Sequence, residues 1–472
     1  MSFIAILSAL FCCTLMFIVK REYKAGLMIV GTLVFSLVRI PYVPFHNVNI
    51  LLPLCFLLSE AQNIHLLVRS SRGKTVWKLM GLAILMGFIT ILSSKHLHDS
   101  VSIRFFLQGE LFFKYFALLY VYWAFSSEDS IKPTLKITFV GVIILTAFGI
   151  LNYLTKSADF VSAMMSGIEV KGMANDGGDV GQMFAEKERF RVQAMFINPF
   201  DYGYICILML LLHIYGYVKG YERKWMLMVV AACAIFGIVS CGCRTNIFCC
   251  MVGVAVFFLL AFKLGKTIRL SLLMMFVAVV VYQFVPSVQE VVDNMMTMFE
   301  KNSDVGGSSM ELRTLQYAAV LYHVQDNPLF GCGYQYFIID MGWGDGVKYL
   351  KDTRLAGLEG VAMSYILERG LVGFALYLLF YISIIISFFR NRKYSMVATA
   401  FGISVVCTYL SFANMTGELS SVYPTLLLLG YVLKVVDYNK VASALMGGAR
   451  RVCNFILAQF PCRIFNAVRV CA

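Results

Sequence analysis

"SFIAILSALFCCTLMFIVKREYK" (Ser2–Lys24) opens the chain with an uncharged apolar run that ends abruptly in basic residues. A run of this length matches the roughly 17–25 residues that cross a hydrocarbon core about 30 Å thick. No basic residue precedes the run, whereas Lys20, Arg21 and Lys24 follow it. A cleavable secretory signal has the opposite order. The reading is a retained first span with its N-terminus outside.

The pattern continues along the chain. Of 472 residues, 60% are hydrophobic and only 14% charged, and the mean hydropathy is +0.76. A soluble globular protein carries far more polar surface. The expected fold is all-α: a polytopic integral membrane protein of about 12–14 transmembrane helices. Spans are expected near 3–19, 25–38, 48–67, 79–93, 106–125, 137–154, 201–218, 226–242, 246–263, 270–287, 362–388, 395–413 and 422–436. This divides the chain into N-terminal spans (1–154), a first extracytoplasmic loop (155–200), central spans (201–287), a long extracytoplasmic loop with a helix (288–361), C-terminal spans (362–436) and a basic amphipathic cytoplasmic tail (437–472).

The net charge of +13 follows the same topology. Basic residues cluster in alternate connections: Lys20/Arg21/Lys24, Arg69/Arg72/Lys74/Lys78, Lys132/Lys136, Lys219/Arg223/Lys224, Lys263/Lys266/Arg269 and Arg390/Arg392/Lys393. These are expected on the cytoplasmic side, and no nucleic-acid partner is indicated. Most of the 14 cysteines lie inside apolar segments without a C-x-x-C spacing. They read as packing residues, not as a disulfide framework or zinc site.

The two long loops, 155–199 and 288–361, hold 16 of the 27 acidic residues. In the second, Ser308 and Glu311 fit a capping box. Leu312, Leu315, Ala319 and Tyr322 follow at helical spacing, and Asn327-Pro328 ends the helix. Three arginines fall on the expected outer side. Arg191 lies in "FRVQAMFINPFDYG", Arg244 in "SCGCRTN", and Arg313 opens the loop helix. Each alone reads equally well as a snorkelling residue at headgroup level. Together they suggest a phosphate group presented at the membrane boundary, because a guanidinium forks onto phosphate oxygens. A lipid pyrophosphate fits that location; an ordinary anionic headgroup is the alternative. No Walker motif, G-x-G-x-x-G, H-E-x-x-H or D-x-D accompanies them, so neither a cofactor nor a bound metal is expected. Chemistry would rest on arginine electrostatics and one general base. Glu359, where the loop meets the next span, is the candidate base, with a solvated loop carboxylate as the alternative. Glu368 reads as a structural ion pair with Arg369, and His323 as a surface or packing residue. Tyr334, Tyr336, Phe337, Trp343 and Tyr349 either stack on sugar rings or pack the loop.

These motifs resemble the O-antigen ligase and polymerase superfamily. "R…NPFDYG", "SCGCRTN", "R-(x13)-NPLFGCGYQYF" and "EGVAMSYILERGLVG" appear in family order across roughly 190–375, with "NPLFGCG" the most specific piece. Glu359 stands where the ligases have a histidine, which tilts the reading toward a Wzy-type polymerase over a ligase. Cys241 and Cys243 stand where serines or small residues are usual and read as size-conserving. The resemblance implies a GT-C-like glycosyltransferase in the bacterial inner membrane, with its site facing the periplasm. Donor and acceptor would be undecaprenyl-pyrophosphate-linked oligosaccharides amid membrane lipids, and a chain-length regulator protein would be a further partner. Transfer would be inverting and metal-independent, with Arg191, Arg244 and Arg313 on the pyrophosphate and Glu359 as base. The rival readings are a ligase acting on a terminal acceptor and a transporter of lipid-linked glycans.

Overall fold

The computed structural model describes residues 2–34, 48–156, 191–196, 198–262, 265, 282–283, 289, 310–342, 350–355, 358, 360–417 and 422–459. The span expected near 270–287, most of the first long loop, Ser308, Trp343, Tyr349, Glu359 and the tail beyond Gln459 lie outside these residues. The described regular structure is helical throughout.

The chain begins with α1 (Ser2–Ile18), α2 (Arg21–Val34), α3 (Val48–Ser59), α4 (Ile64–Ser71) and α5 (Thr75–Ser93). A helix follows that starts as α6 (Ser100–Phe106), widens into a π-helical turn (Leu107–Tyr115) and ends as α7 (Ala117–Ala124). Next come α8 (Ile131–Thr155), α9 (Pro199–Val218), α10 (Lys224–Ser240) and α11 (Arg244–Ala261). The loop contributes α12 (Met310–Val324) and the short α13 (Tyr336–Ile339). The chain closes with α14 (Val361–Asn391), α15 (Met396–Thr416) and α16 (Val422–Gln459).

Every expected span except the undescribed one coincides with a described helix. Among the described residues, six helices are long and apolar enough to cross a membrane, or seven if the bent pair α3–α4 counts as one span. The protein is therefore a polytopic all-helical membrane protein. Two spans depart from the simple reading. The third breaks by 63° between its two halves. Lys24 reaches into that break and donates to Glu60 Oε1 at 2.7 Å and Ser59 Oγ at 2.8 Å. A buried lysine is tolerated there because its charge is matched. The last span does not end before the tail: α16 runs unbroken through Gln459, so the tail begins as a continuation of the span.

The bundle is built around α9, which is buried on nearly all sides. Its start follows from local sequence. Asn198 accepts a hydrogen bond from Phe200 N at 2.7 Å, and Pro199 occupies the first turn, where its missing N–H costs nothing. Tyr204 stacks on Phe412 of α15 at 4.3 Å and bonds Thr425 Oγ1 of α16 at 2.7 Å. Peripheral helices instead expose apolar residues, such as Ile84, Phe88 and Leu92 on α5, as a lipid-facing surface requires.

Candidate functional site

α11 and α15 pack antiparallel. Arg392, just before α15, donates to Leu260 O near the end of α11 at 3.0 Å. Midway, Gly253 approaches Thr408 so closely that no Cβ would fit. Arg244 lies nine residues before Gly253, and Met415 lies seven beyond Thr408. At 1.5 Å per residue these are about 14 and about 11 Å along one direction, so Arg244 and Met415 share an end of the bundle. Arg313 reaches that same end: its Nη2 donates to Met415 O at 3.1 Å. The last carbonyls of a helix lack intrahelical donors, and a cation there complements the helix dipole. Arg313 thus ties the loop helix to the tip of α15.

Arg191 arrives by a different route. Val192 N donates to Ser240 O at 3.1 Å, which lays Arg191 along the α10–α11 turn. Gly242 in that turn has φ 62°, and a Cβ there would sit 3.4 Å from Arg191 Cγ. Asn246 Nδ2 donates to Phe200 O at 3.1 Å, and Gly203 leaves room for the Asn246 and Cys241 side chains. The Cys241 and Cys243 thiols donate to Ile238 O and Cys241 O inside the turn. The NPFDYG and SCGCRTN segments therefore form one packed unit. It holds Arg191 against Gly242, two residues before Arg244, and both arginines are half-buried. Arg244 stands at the first position of α11, where a helix N-terminus disfavours a cation but attracts an anion.

The sequence-predicted arginines thus gather at one end of the bundle. Glu359 lies outside the described residues. Its neighbour Gly360 packs against Asn414 O, one residue from the carbonyl that Arg313 holds.

A second junction joins the loop to α14. That helix breaks at Gly370, which has φ 64° and ψ −170°, a left-handed conformation suited to glycine. The break strands backbone groups on both sides, and the NPLFGCG segment satisfies them. Cys332 N and Gly333 N donate to Leu367 O and Glu368 O at 2.8 and 3.0 Å. Leu371 N and Val372 N donate to Pro328 O and Leu329 O, each at 3.0 Å. Gly331 and Gly370 meet backbone to backbone, and a Cβ on Gly331 would lie 2.6 Å from Gly370 N. Beneath the break, Arg369 donates to Glu110 Oε2 at 3.0 Å and Lys114 to the same oxygen at 3.1 Å. Arg369 is thus ion-paired inside the bundle with Glu110 from the π-helical turn, and it also interacts electrostatically with its neighbour Glu368.

The two tyrosines expected near sugars already have protein partners. Tyr334 lies edge-on to Phe106 at 4.8 Å with the Arg369 guanidinium 5.5 Å from its ring. Its N–H donates to Ser94 Oγ at 2.8 Å. Tyr336 places its hydroxyl 3.3 Å from His323 Nδ1. His323, expected to be a surface or packing histidine, instead links Tyr336 to Asp352, whose Oδ2 is 3.0 Å from Nε2. Arg354 binds Asp352 through Nε and Nη2 at 3.0 and 2.8 Å. Arg354's hydrogen bond, and after it His323's, hold the Asp352 carboxyl down at about 2. Burial, with smaller help from Asp340 and Asp326, pushes the Cys332 thiol up to about 11. Sequence patterning carried no signal for the 323–336–352 cluster, because its members sit on two separate helices and a loop.

The fold and this site define a class: a multi-pass membrane protein whose polar loop is docked into a broken span, with arginines collected at one end of the bundle. Residues 226–378, about a third of the chain, match the family described as O-antigen ligase. The match contains Arg244, Arg313, Tyr334, Tyr336 and the NPLFGCG segment; Arg191 lies before it, against a turn within it. No curated protein matches the chain.

Proposed function

We propose that the protein is a glycosyltransferase that polymerises oligosaccharide units carried on undecaprenyl pyrophosphate, at the outer face of the bacterial inner membrane. One observation carries this reading: Arg191 and Arg244, within one packed unit, and Arg313, on the loop helix, reach the same bundle end. A single snorkelling arginine needs no such support. Two arginines at the start of α11, with a third at the same bundle end, would make an anion site at the level where a lipid diphosphate would emerge.

In the proposed step, an acceptor sugar hydroxyl attacks the anomeric carbon of the donor's first sugar. The bond from that carbon to the pyrophosphate oxygen breaks, and undecaprenyl pyrophosphate leaves with the bonding pair. The hydroxyl proton passes to Glu359. The arginines offset the charge that grows on the leaving group, and removing one such donor typically costs about 10²–10³ in rate. Tyr334 and Tyr336 would act mainly through loop shape, since each ring already has a protein partner. The ligase reading draws on the family's description and shares the donor chemistry; it differs in the acceptor.

The test is purified protein incubated with a defined undecaprenyl-pyrophosphate oligosaccharide, without added metal. A ladder of lengthened lipid-linked products is expected. Transfer of single units to a terminal acceptor, with no ladder, would favour the ligase. Arg191→Ala, Arg244→Ala and Arg313→Ala should each insert normally and lose the ladder. Wild-type chain length in two of the three refutes a shared pyrophosphate role. Glu359→Gln should lose more activity than Glu368→Gln, and the reverse order moves the base to Glu368.

A further inference from the structure

The loop helix α12 is apolar on two faces. Ala319, Val320 and Val324 point inward, against a small core that includes Met363 and Leu367 of α14. The opposite face leaves Leu315, Leu321 and Tyr322 exposed, Leu321 by 63%. These large apolar side chains share the face with the exposed Thr314 and Ala318, so apolar area predominates there without excluding a polar group.

This face continues an apolar surface that already belongs to the membrane. Beyond Gly370, α14 exposes Leu371, Leu379, Ile382 and Ile386 at helical spacing, the lipid-facing stripe of a span. The stripe does not stop at the break. Leu329 is joined to Val372 by a backbone hydrogen bond, and Leu329 and Phe330 are themselves exposed. From there the turn 324–331, which also exposes Gln325, Asp326 and Asn327, leads back to Leu321 on α12. Arg354, exposed, stands 5.5 Å from the Tyr322 ring at the margin of this surface. Apolar residues bordered by an aromatic ring and a cation suit the boundary between acyl chains and headgroups.

We propose that α12 is an in-plane membrane helix: Leu315, Leu321 and Tyr322, with Leu329 and Phe330 beside them, rest on the lipid leaflet at the arginine end of the bundle. Arg313 stands on the same helix, so the leaflet would set the height of its guanidinium over the membrane. The placement depends on the protein's membrane class and not on the reaction it carries.

A benzophenone amino acid placed at Leu321 in the full chain tests this, with the protein in vesicles of phosphatidylethanolamine and phosphatidylglycerol. On irradiation, phospholipid adducts should form at 321 to the extent seen at Leu379, a residue of the α14 stripe. Crosslinking to a second copy or to another protein overturns the proposal, as does an adduct yield no higher than the unirradiated background. If the 321 variant does not accumulate, the same comparison at Leu315 and Leu329 decides by the same outcomes.

Discussion

Asn-Pro occurs at two places near the candidate site, and the two do opposite work. Asn198-Pro199 starts a helix: the asparagine caps it and the proline fills its first turn. Asn327-Pro328 repairs a helix. It begins the segment whose backbone closes the gap in α14, with Pro328 O receiving Leu371 N. The first motif lies beside the α10–α11 turn, where Arg191 packs along Gly242 and Arg244 begins α11. The second contributes almost only backbone. A short motif therefore states which residues recur, while the surrounding helix decides whether they carry chemistry or hold the chain in place.

The sharpest way to break this contrast is to add one methyl group to each region. At Gly370 an alanine Cβ would strike the Leu329 carbonyl, and φ is 64°. Neither partner is a side chain that can swing away. The left-handed conformation alone costs about 1–2 kcal/mol, and the four bridging hydrogen bonds at risk contribute about 1 kcal/mol each. Gly370→Ala should cost about 4 kcal/mol or more and yield little monodisperse protein in detergent. Normal thermal unfolding of this variant would show that the loop does not depend on the break.

The charged layer beneath the break comes next in size. Lys114 and Arg369 are both nearly buried and share Glu110 Oε2. Removing one partner of a buried pair leaves uncompensated charge, typically a loss of about 3–5 kcal/mol. Glu110→Ala should therefore lower the unfolding midpoint and speed amide exchange at Cys332 and Gly333. Unchanged exchange there would separate the ion pair from the docking of the loop.

The matching substitution in the first region should be milder. Gly242→Ala meets the flexible side chain of Arg191 at 3.4 Å, so the collision can relax. The expected cost is the backbone term, about 1–2 kcal/mol, and the protein should still fold. Because the side chain that gives way is Arg191, product formation should fall by more than stability does. Equal losses would make Gly242 a structural residue only.

Much of this was legible in the sequence. Apolar length and charge spacing located the helices; the capping by Asn198 and Pro199 that starts α9 came from the structure. The three arginines stood out because cations are unexpected on the side assigned to them. What pattern could not reveal was long-range pairing. Glu110 and Arg369 meet across 259 positions, and nothing local to either names the other. The break at Gly370 was hidden as well, since "LERGLVGF" reads as continuous helix until the NPLFGCG backbone is seen to replace its missing bonds. Lys24 was read as a topological charge, yet it enters the break between α3 and α4 and binds Glu60.

The smallest expected effect lies in the loop's own polar cluster, where side chains and not backbone do the holding. Asp352 receives Arg354 and His323, and its carboxyl is held at about 2 in the folded loop, below the unperturbed value of about 3.9. A depressed carboxylate adds stability that is fully present above about pH 4 and is lost as pH falls toward about 2. Arg354 is largely exposed, so solvent screening keeps the contribution small, about 1 kcal/mol or less. Asp352→Asn should therefore loosen the loop slightly at neutral pH, with faster proteolysis near Lys351, and should remove the loop's sensitivity across that acid window. An acid response identical in wild type and variant would assign the sensitivity to another carboxylate.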